Sequence, residues 1–394
     1  MKEPHADAGG RATASSDARP ASLTESLLLE RLRAGRRVVA AVLVDVEGSA
    51  PLPPGATMLI DEDGAIEGSI TGGCVESAVV QEAQAILRDG KPPLLATYGI
   101  SDELAGTVGL MCGGTVHVFV HEITPQAAAP LAAFLDAVRA ERPAGLATLL
   151  DGERAGAKLA LVDGEAIGAL GAGALLDRNV AQDLQGMLDS GRSAVVRYAL
   201  DGSRLGAEQR VHLHCHALPP SMVVFGAIDF SAALAPMARA LGFRVTISDP
   251  RAAFARSPRF SRAAQVVVGW PEQTLDARAL GPRDVVLVFS HDPKLDVPAL
   301  TAALRTDAGY IGALGSRQTT ADRNRRLREA GVTDAELARI FAPCGLDIGS
   351  ATAEETAVAI LAEIVAHRAG RGGRPLRETD DSIRPREAPQ TGER

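Results

Sequence analysis

The chain has 394 residues, a net charge of −8 and only 3% aromatic residues. Such a length supports two or three domains with aliphatic cores, and an acidic balance with no basic face excludes a nucleic-acid binder. Four cysteines, none in a CxxC pair, point to reduced thiols in a cytoplasmic protein. No apolar run is long enough to span a membrane. Residues 1–20 lack the apolar segment of a secretory signal and read as a disordered tail.

In chain order, Leu23 to Arg33 predicts a short helix and Val38 to Val46 a strand. The loop Glu47-Gly-Ser-Ala-Pro-Leu-Pro-Pro-Gly55 is too rich in Gly and Pro for regular structure. Gly55-Ala-Thr-Met-Leu-Ile60 reads as a strand that turns at Asp61-Glu-Asp-Gly64. Next comes Gly68-Ser-Ile-Thr-Gly-Gly-Cys-Val-Glu76, after which Val75, Val79, Ala83, Ile86 and Leu87 mark one face of a helix ending at Gly90. Cys74 is thus expected in a first helical turn, where unpaired N–H groups and the helix dipole favour anions and lower a thiol pKa. A quiet buried cysteine is the plainer alternative. Glu76 reads either as a complement to that dipole or as a proton-transfer group. A strand from Leu94 to Tyr98 and a polar loop lead to Met111-Cys-Gly-Gly114, which opens the alternating strand Thr115 to Val120. This second run sets Cys112 beside Gly113 and Gly114.

The following hundred or so residues repeat this plan. Asp63-Gly64 matches Asp163-Gly164, Gly68 matches Gly168, Ile70 matches Leu170 and Gly73 matches Gly173 at constant offset. With one inserted residue, Val79 meets Val180, Leu87 meets Leu188 and Gly90 meets Gly191; later Val116-His-Val-Phe-Val-His121 meets Val211-His-Leu-His-Cys-His216. The pattern is a duplicated α/β unit, over 21–125 and 126–218. Ala174 stands where the first copy has Cys74, and Ala207-Glu-Gln where it has Cys112-Gly-Gly. The scaffold is kept and the thiols are not, which favours chemistry in the first copy only. His212, His214 and His216 alternate as metal ligands can, but His117 and His121 occupy the same strand in the first copy, so strand surface is the better reading and no metal site is assigned. Cys215 and Cys344 lack neighbouring glycine pairs and read as structural.

After Pro219-Pro220, short strands alternate with helices: Met222 to Phe225, a helix from Ala232 to Leu241, Arg244 to Ser248, Ala264 to Val268, Asp284 to Ser290 and Tyr310 to Leu314. This alternation means a parallel sheet of Rossmann type over 219–369, ending in a helix from Ala353 to His367 with one apolar face. Residues 370–394 read as a second disordered tail. The fold class is therefore α/β, a duplicated N-terminal α/β unit followed by a C-terminal Rossmann-type parallel-sheet domain. The first βα turn, Gly226-Ala-Ile-Asp-Phe-Ser231, keeps one of the three glycines of a dinucleotide fingerprint, with Asp229 where phosphate would lie. Asp249 ends the second strand, where a ribose hydroxyl would be met. NAD(P) use is thus not expected from this turn. His291 and Asp292 of Ser290-His-Asp-Pro-Lys-Leu-Asp296, and Arg317 of Gly315-Ser-Arg317, follow other parallel strands and could share a ligand crevice with Gly226. Local capping by Asp292 and Arg317 is the alternative.

Several of these motifs, in order, resemble the XdhC/CoxI family over roughly residues 24 to 376. Its N-terminal motifs are matched by Glu47-Gly-Ser-Ala-Pro-Leu-Pro-Pro-Gly-Ala56, Gly72-Gly-Cys-Val-Glu76 and Cys112-Gly-Gly; its Rossmann half is matched by the Gly226 turn, Ser290 to Asp296, Ile311 to Arg317 and Gly345 to Gly349. Ala227-Ile-Asp-Phe departs from the family's commoner Gly-x-Gly-His turn. The resemblance implies an accessory factor for molybdenum hydroxylases such as xanthine dehydrogenase or carbon monoxide dehydrogenase. Such a factor binds molybdenum cofactor (molybdopterin) transiently, assists its sulfuration with a cysteine desulfurase, delivers it to the apoenzyme and tends to form homodimers. It also implies a cofactor chaperone more than a turnover enzyme. A cofactor of that kind calls for N–H-rich turns at Gly72-Gly73 and Gly113-Gly114 to meet its phosphate, and for soft thiolates, Cys74 or Cys112. A nucleotide- or NAD(P)-dependent oxidoreductase, resting on Gly226 and Asp249, and a plain interaction scaffold are the competing readings.

Overall fold

The computed structural model describes residues 28, 30–31, 34–48, 50–73, 75–99, 114–206, 208–260, 265–276, 278–290 and 292–380. The chain divides into two compact units, Met1–Asp177 with Arg197–His212, and Arg178–Val196 with Leu213–Arg394. The helix expected over Leu23 to Arg33 falls largely outside the described residues, as do Cys74, Cys112, Gly113 and His291.

In the first unit, β1 (Val38–Glu47), β2 (Thr57–Asp61), β3 (Ile66–Gly68), β4 (Leu94–Tyr98) and β5 (Thr115–Glu122) form an antiparallel sheet in the order β3-β2-β1-β5-β4. Side chains alternate across a strand, so central β1 serves two cores. Val39, Ala41 and Leu43 pack with Val79, Ala83 and Ile86 of α1 (Glu76–Asp89). Val38 and Ala40 face the other way, into a core with Leu131, Phe134 and Leu135 of α2 (Pro125–Arg139) and with Leu146 and Ala160. Each such aliphatic side chain contributes roughly 1.5–3 kcal/mol by leaving water. Helix α1 stops at Gly90, whose φ of 65° lets its N–H close the last turn on the Ile86 carbonyl.

The same strand order recurs as β8-β7-β6-β10-β9, built from β6 (Ala144–Leu149), β7 (Lys158–Val162), β8 (Glu165–Gly168), β9 (Ala194–Tyr198) and β10 (Gln209–His216). Helix α3 (Ala174–Ser190) follows β8 as α1 follows β3.

In the second unit, β11 (Ser221–Phe225), β12 (Arg244–Ser248), β13 (Gln265–Val267), β14 (Val285–Val288), β15 (Tyr310–Ala313) and β16 (Ile340–Phe341) form a wholly parallel sheet in the order β13-β12-β11-β14-β15-β16. Strand order reverses between β11 and β14, the point at which open α/β sheets leave a crevice. One face packs on α4 (Asp229–Ala240) and α10 (Ala353–Arg368), the other on α7 (Pro293–Leu304) and α8 (Arg317–Glu329), and the short helices α5 (Ala252–Ala255), α6 (Pro271–Asp276) and α9 (Asp334–Leu337) lie in the connections. Three features differ from the sequence expectation. Helix α4 starts at Asp229 rather than Ala232, because Ile228 already takes the extended N-cap conformation. The two-residue β16 is too short to carry a periodic signal. Helix α10 is apolar beyond one face: Ile360, Leu361 and Ile364 are buried while Val358 and Val365 are about half exposed.

Candidate functional site

The turn before α1 is organised by one carboxylate. Glu76 Oε1 accepts from the Ile70 and Thr71 amides (3.2 and 2.8 Å) and the Ser69 hydroxyl (2.8 Å). Its Oε2 accepts from the Gly73 and Val75 amides (2.9 and 3.1 Å) and the Thr71 hydroxyl (2.9 Å). Burial alone would raise the pKa of this carboxyl, but the Thr71 and Ser69 donors outweigh it and hold the pKa at about 2. A group so strongly held as an anion is a poor proton shuttle near neutral pH; its geometry is that of a clamp. The Gly72 amide is spent on Ser69 Oγ (2.9 Å). Both glycine amides expected to meet a phosphate are therefore satisfied inside the turn in this conformation. Helix α1 begins at Glu76 with Val75 as N-cap, and the expected first-turn place of Cys74 lies outside the described residues.

The second half keeps this backbone and drops its side chains. Gly68 and Gly73 have φ of 83° and 123°, and their counterparts Gly168 and Gly173 have 86° and 115°. Yet Ala169 and Gly171 stand where Ser69 and Thr71 stand, and Asp177 accepts from the Leu170 amide at 2.9 Å. The shorter aspartate, without flanking hydroxyls, repeats a reduced form of the clamp. Gly114 is buried at the start of β5.

Two of the expected surface histidines are interior. His121 is fully buried, stacked on Phe119 at 4.6 Å, and His212 is also buried. Burial, with the charge of Lys158, pushes the His121 pKa well down. Lys158 itself is buried, donates to Thr148 Oγ1 at 2.9 Å, and is pushed down by desolvation to about 7. The alternation on these strands marks a core face, which polarity alone disguises. Burial pushes both the Cys215 and the Cys344 thiol up to about 12, so neither is a thiolate at neutral pH.

On the parallel sheet, Gly226 (φ 112°) lies so close to the Phe289 carbonyl that a Cβ would meet it at 3.1 Å, so the turn needs glycine. Asp249 is buried and accepts from the Ala227 amide (2.9 Å) and from the Arg251 amide and guanidinium (2.8–2.9 Å). Burial would raise its pKa, but the Arg251 and Ala227 hydrogen bonds lower it. The carboxylate expected for a ribose thus holds the turn instead. Asp229 starts α4 and pairs with Arg259, whose guanidinium also reaches the Ala227 carbonyl at 3.2 Å. An acid and its own arginine occupy the helix end where a pyrophosphate would sit. Asp292 is the N-cap of α7, accepting from the Lys294 amide at 3.0 Å, and lies close enough to Arg251 to raise its pKa, after the larger effect of Asp249. Arg317 is exposed at the start of α8.

A crevice of about 600 Å³ opens beyond β15, lined by Phe230 and Thr356 on one side of the sheet and Asp296, Thr319 and Arg326 on the other, with Gly315-Ser316 between. Beneath it the buried Arg323 holds Asp296 at 3.3 Å and donates to the Leu314 carbonyl at 2.7 Å, fixing the turn. None of Gly226, Asp249, Asp292 or Arg317 lines this space; the first three gather around the Ala227 turn. The buried Asp296–Arg323 pair and Arg259 carry no local sequence pattern. Ser69 and Thr71 did carry one, hydroxyls a few residues ahead of a first-turn glutamate.

Comparison with known proteins gives consistent relatives. A family model described as the XdhC Rossmann domain matches residues 222–364, and one described as the XdhC and CoxI family matches 31–99 and 137–199. The chain is 29% identical to a probable xanthine dehydrogenase subunit of Bacillus subtilis, over 84% of this chain and 93% of that one. It is 27% identical to the molybdenum cofactor insertion chaperone PaoD of Escherichia coli, over 91% and 89%. Its fold matches a crystal structure of a xanthine dehydrogenase from Bacillus halodurans, with a TM-score of 0.57 at 24% identity, over 90% and 98% of the two chains.

Proposed function

The chain belongs to the XdhC and CoxI family, and on that premise we propose that it is a maturation factor for a molybdenum hydroxylase, of xanthine dehydrogenase or carbon monoxide dehydrogenase type. In this reading it binds molybdenum cofactor as cargo, holds it while a terminal oxo ligand is exchanged for sulfido with a cysteine desulfurase, and passes it to the apoenzyme. Cys74 and Cys112, the two thiols of the first half without a counterpart in the second, supply soft ligands to the cargo. The observation that carries the reading is the asymmetry of the two halves. Glu76, Ser69 and Thr71 brace the turn on both sides of position 74, whereas the second half has the turn without thiol or hydroxyls. With the Gly72 and Gly73 amides already spent, cargo contacts fall to side chains beside the turn. A nicotinamide dinucleotide finds little at the Gly226 turn, where Asp229 with Arg259 lies at the phosphate position and Asp249, the expected ribose partner, is engaged by Ala227 and Arg251.

The test is activation of a client. Cofactor-free xanthine dehydrogenase is incubated with the purified chain isolated from cofactor-producing cells, and turnover is followed. Wild-type chain should restore activity, and Cys74→Ala or Cys112→Ala should cut the initial rate by about tenfold or more. Equal rates with both variants would defeat the role of the thiols, and dinucleotide-dependent turnover by the chain alone would favour the oxidoreductase reading.

A further inference from the structure

The crevice beyond β15 lies wholly within the second unit, and its walls are chemically one-sided. Between them runs the Gly315-Ser316 turn that opens α8, a helix of 13 residues with Ser316 as N-cap. The Gly315 and Ser316 amides donate to no described residue. Ser316 Oγ accepts from the Thr319 amide at 3.1 Å and pairs with Thr319 Oγ1 at 2.9 Å. These two hydroxyls need only one proton between them, so the other remains for an outside acceptor. Arg326, further along the same helix, is half-buried against the crevice, and its guanidinium makes no ion pair or hydrogen bond with a described residue. Arg323 is 1% exposed, and its Nη1 has no hydrogen-bond partner among the described residues. Its Nε and Nη2 face Asp296 and the Leu314 carbonyl, and Nη2 lies 3.5 Å from where a Cβ on Gly315 would stand. All three of those residues line the crevice, so the unmatched nitrogen sits behind the same surface.

The acids of the crevice are accounted for: Asp296 is held by Arg323, and the exposed Asp322 lies 3.7 Å from Arg325. What remains is donors, namely two amides at a positive helix end, one hydroxyl and two guanidinium groups. Buried donors left unmatched are costly, and a group of them at a helix N-terminus suits a phosphate. The opposite wall is different in kind. Phe230 supplies a ring, and Thr356 spends its hydroxyl on the Thr352 carbonyl at 2.8 Å, which leaves its methyl. A space of about 600 Å³ holds far more than an inorganic ion. We propose that this crevice binds a small phosphomonoester, with the phosphate on the Gly315-Ser316 turn and the organic body along Phe230. The site is separate from the Gly226 turn and stands independently of the maturation-factor reading.

Isothermal titration calorimetry of the full-length chain with ribose 5-phosphate, adenosine monophosphate and inorganic phosphate tests it. At least one ester should bind saturably and about tenfold or more tighter than inorganic phosphate, because only an ester meets both walls. Which ester binds better separates a sugar phosphate from a nucleotide. Ser316→Asp keeps an N-cap acceptor for α8 but sets a carboxylate where the phosphate would lie. It should cut ester affinity by about a hundredfold while the melting temperature is kept, which separates lost binding from lost folding. Arg326→Ala removes a charge that has no partner to strand and should weaken the ester by about threefold. Saturable binding of neither ester, equal affinity for ester and inorganic phosphate, or ester binding to Ser316→Asp as tight as to wild type would overturn the proposal; an ester seated at the Gly226 turn would give the last of these.

Discussion

The two halves of the duplicated region share strand order and left-handed glycines but differ in what those glycines surround. In the first, six hydrogen bonds converge on Glu76; in the second, Asp177 takes the Leu170 amide, and in sequence Ala174 stands where the first has Cys74. A duplicated fold needs its turn in both copies, because the strand must reverse into the helix either way. It needs braced side chains only where the turn presents something. The difference therefore separates what the scaffold requires from what a site requires.

The largest effect tests a polar group peculiar to the second half. Lys158 of β7 is buried, whereas β2 holds no lysine. The unfolded chain keeps the lysine proton up to about pH 10.5, the folded chain only to about 7, so stability rises with pH between those values and is lowest below 7. Lys158→Met should remove that slope and stabilise the protein at or below pH 7 by up to about 4 kcal/mol, read from urea melts at several pH values. An unchanged slope would mean the ammonium is solvated.

Next comes the clamp. Glu76→Ala strands several donors and should cost roughly 2–3 kcal/mol, against about 1 kcal/mol for Asp177→Ala, by urea unfolding. Equal costs would erase the asymmetry. Because the Glu76 pKa is depressed on folding, its contribution is complete above its unfolded value near 4.5 and is lost as pH falls towards about 2. Acid unfolding of Glu76→Gln should accordingly be shallower than that of wild type, a modest effect for a partly solvated group. The smallest expected difference concerns the shared backbone. Gly73→Ala and Gly173→Ala meet no neighbouring atoms, but both glycines have positive φ, so each should cost about 1 kcal/mol, and alike.

Much of this was legible in the sequence where the physics is local. The Asp-Gly turns, the Gly90 stop and the alternation of strands with helices in the second unit follow from backbone preferences, and the structure has them. Side-chain destinations were less legible. Glu76 looked like a dipole complement because the amides it gathers come together only once the chain turns. Asp249 looked like a ribose acceptor because nothing local shows Arg251 folding back onto it. His121 and His212 looked like surface because polarity was taken for exposure. The crevice beside Phe230 and Arg326 assembles residues from five separate stretches of the chain, which no spacing rule encodes.

The central claim is that cargo is held by the first half's thiols. The most direct measurement is molybdenum and oxidised pterin per chain, purified from cofactor-producing cells, for wild type, Cys74→Ala with Cys112→Ala, and Cys215→Ala with Cys344→Ala. The account predicts loss of both signals in the first pair and retention in the second, whose thiols are held neutral by burial. Equal cofactor content in all three proteins would contradict it.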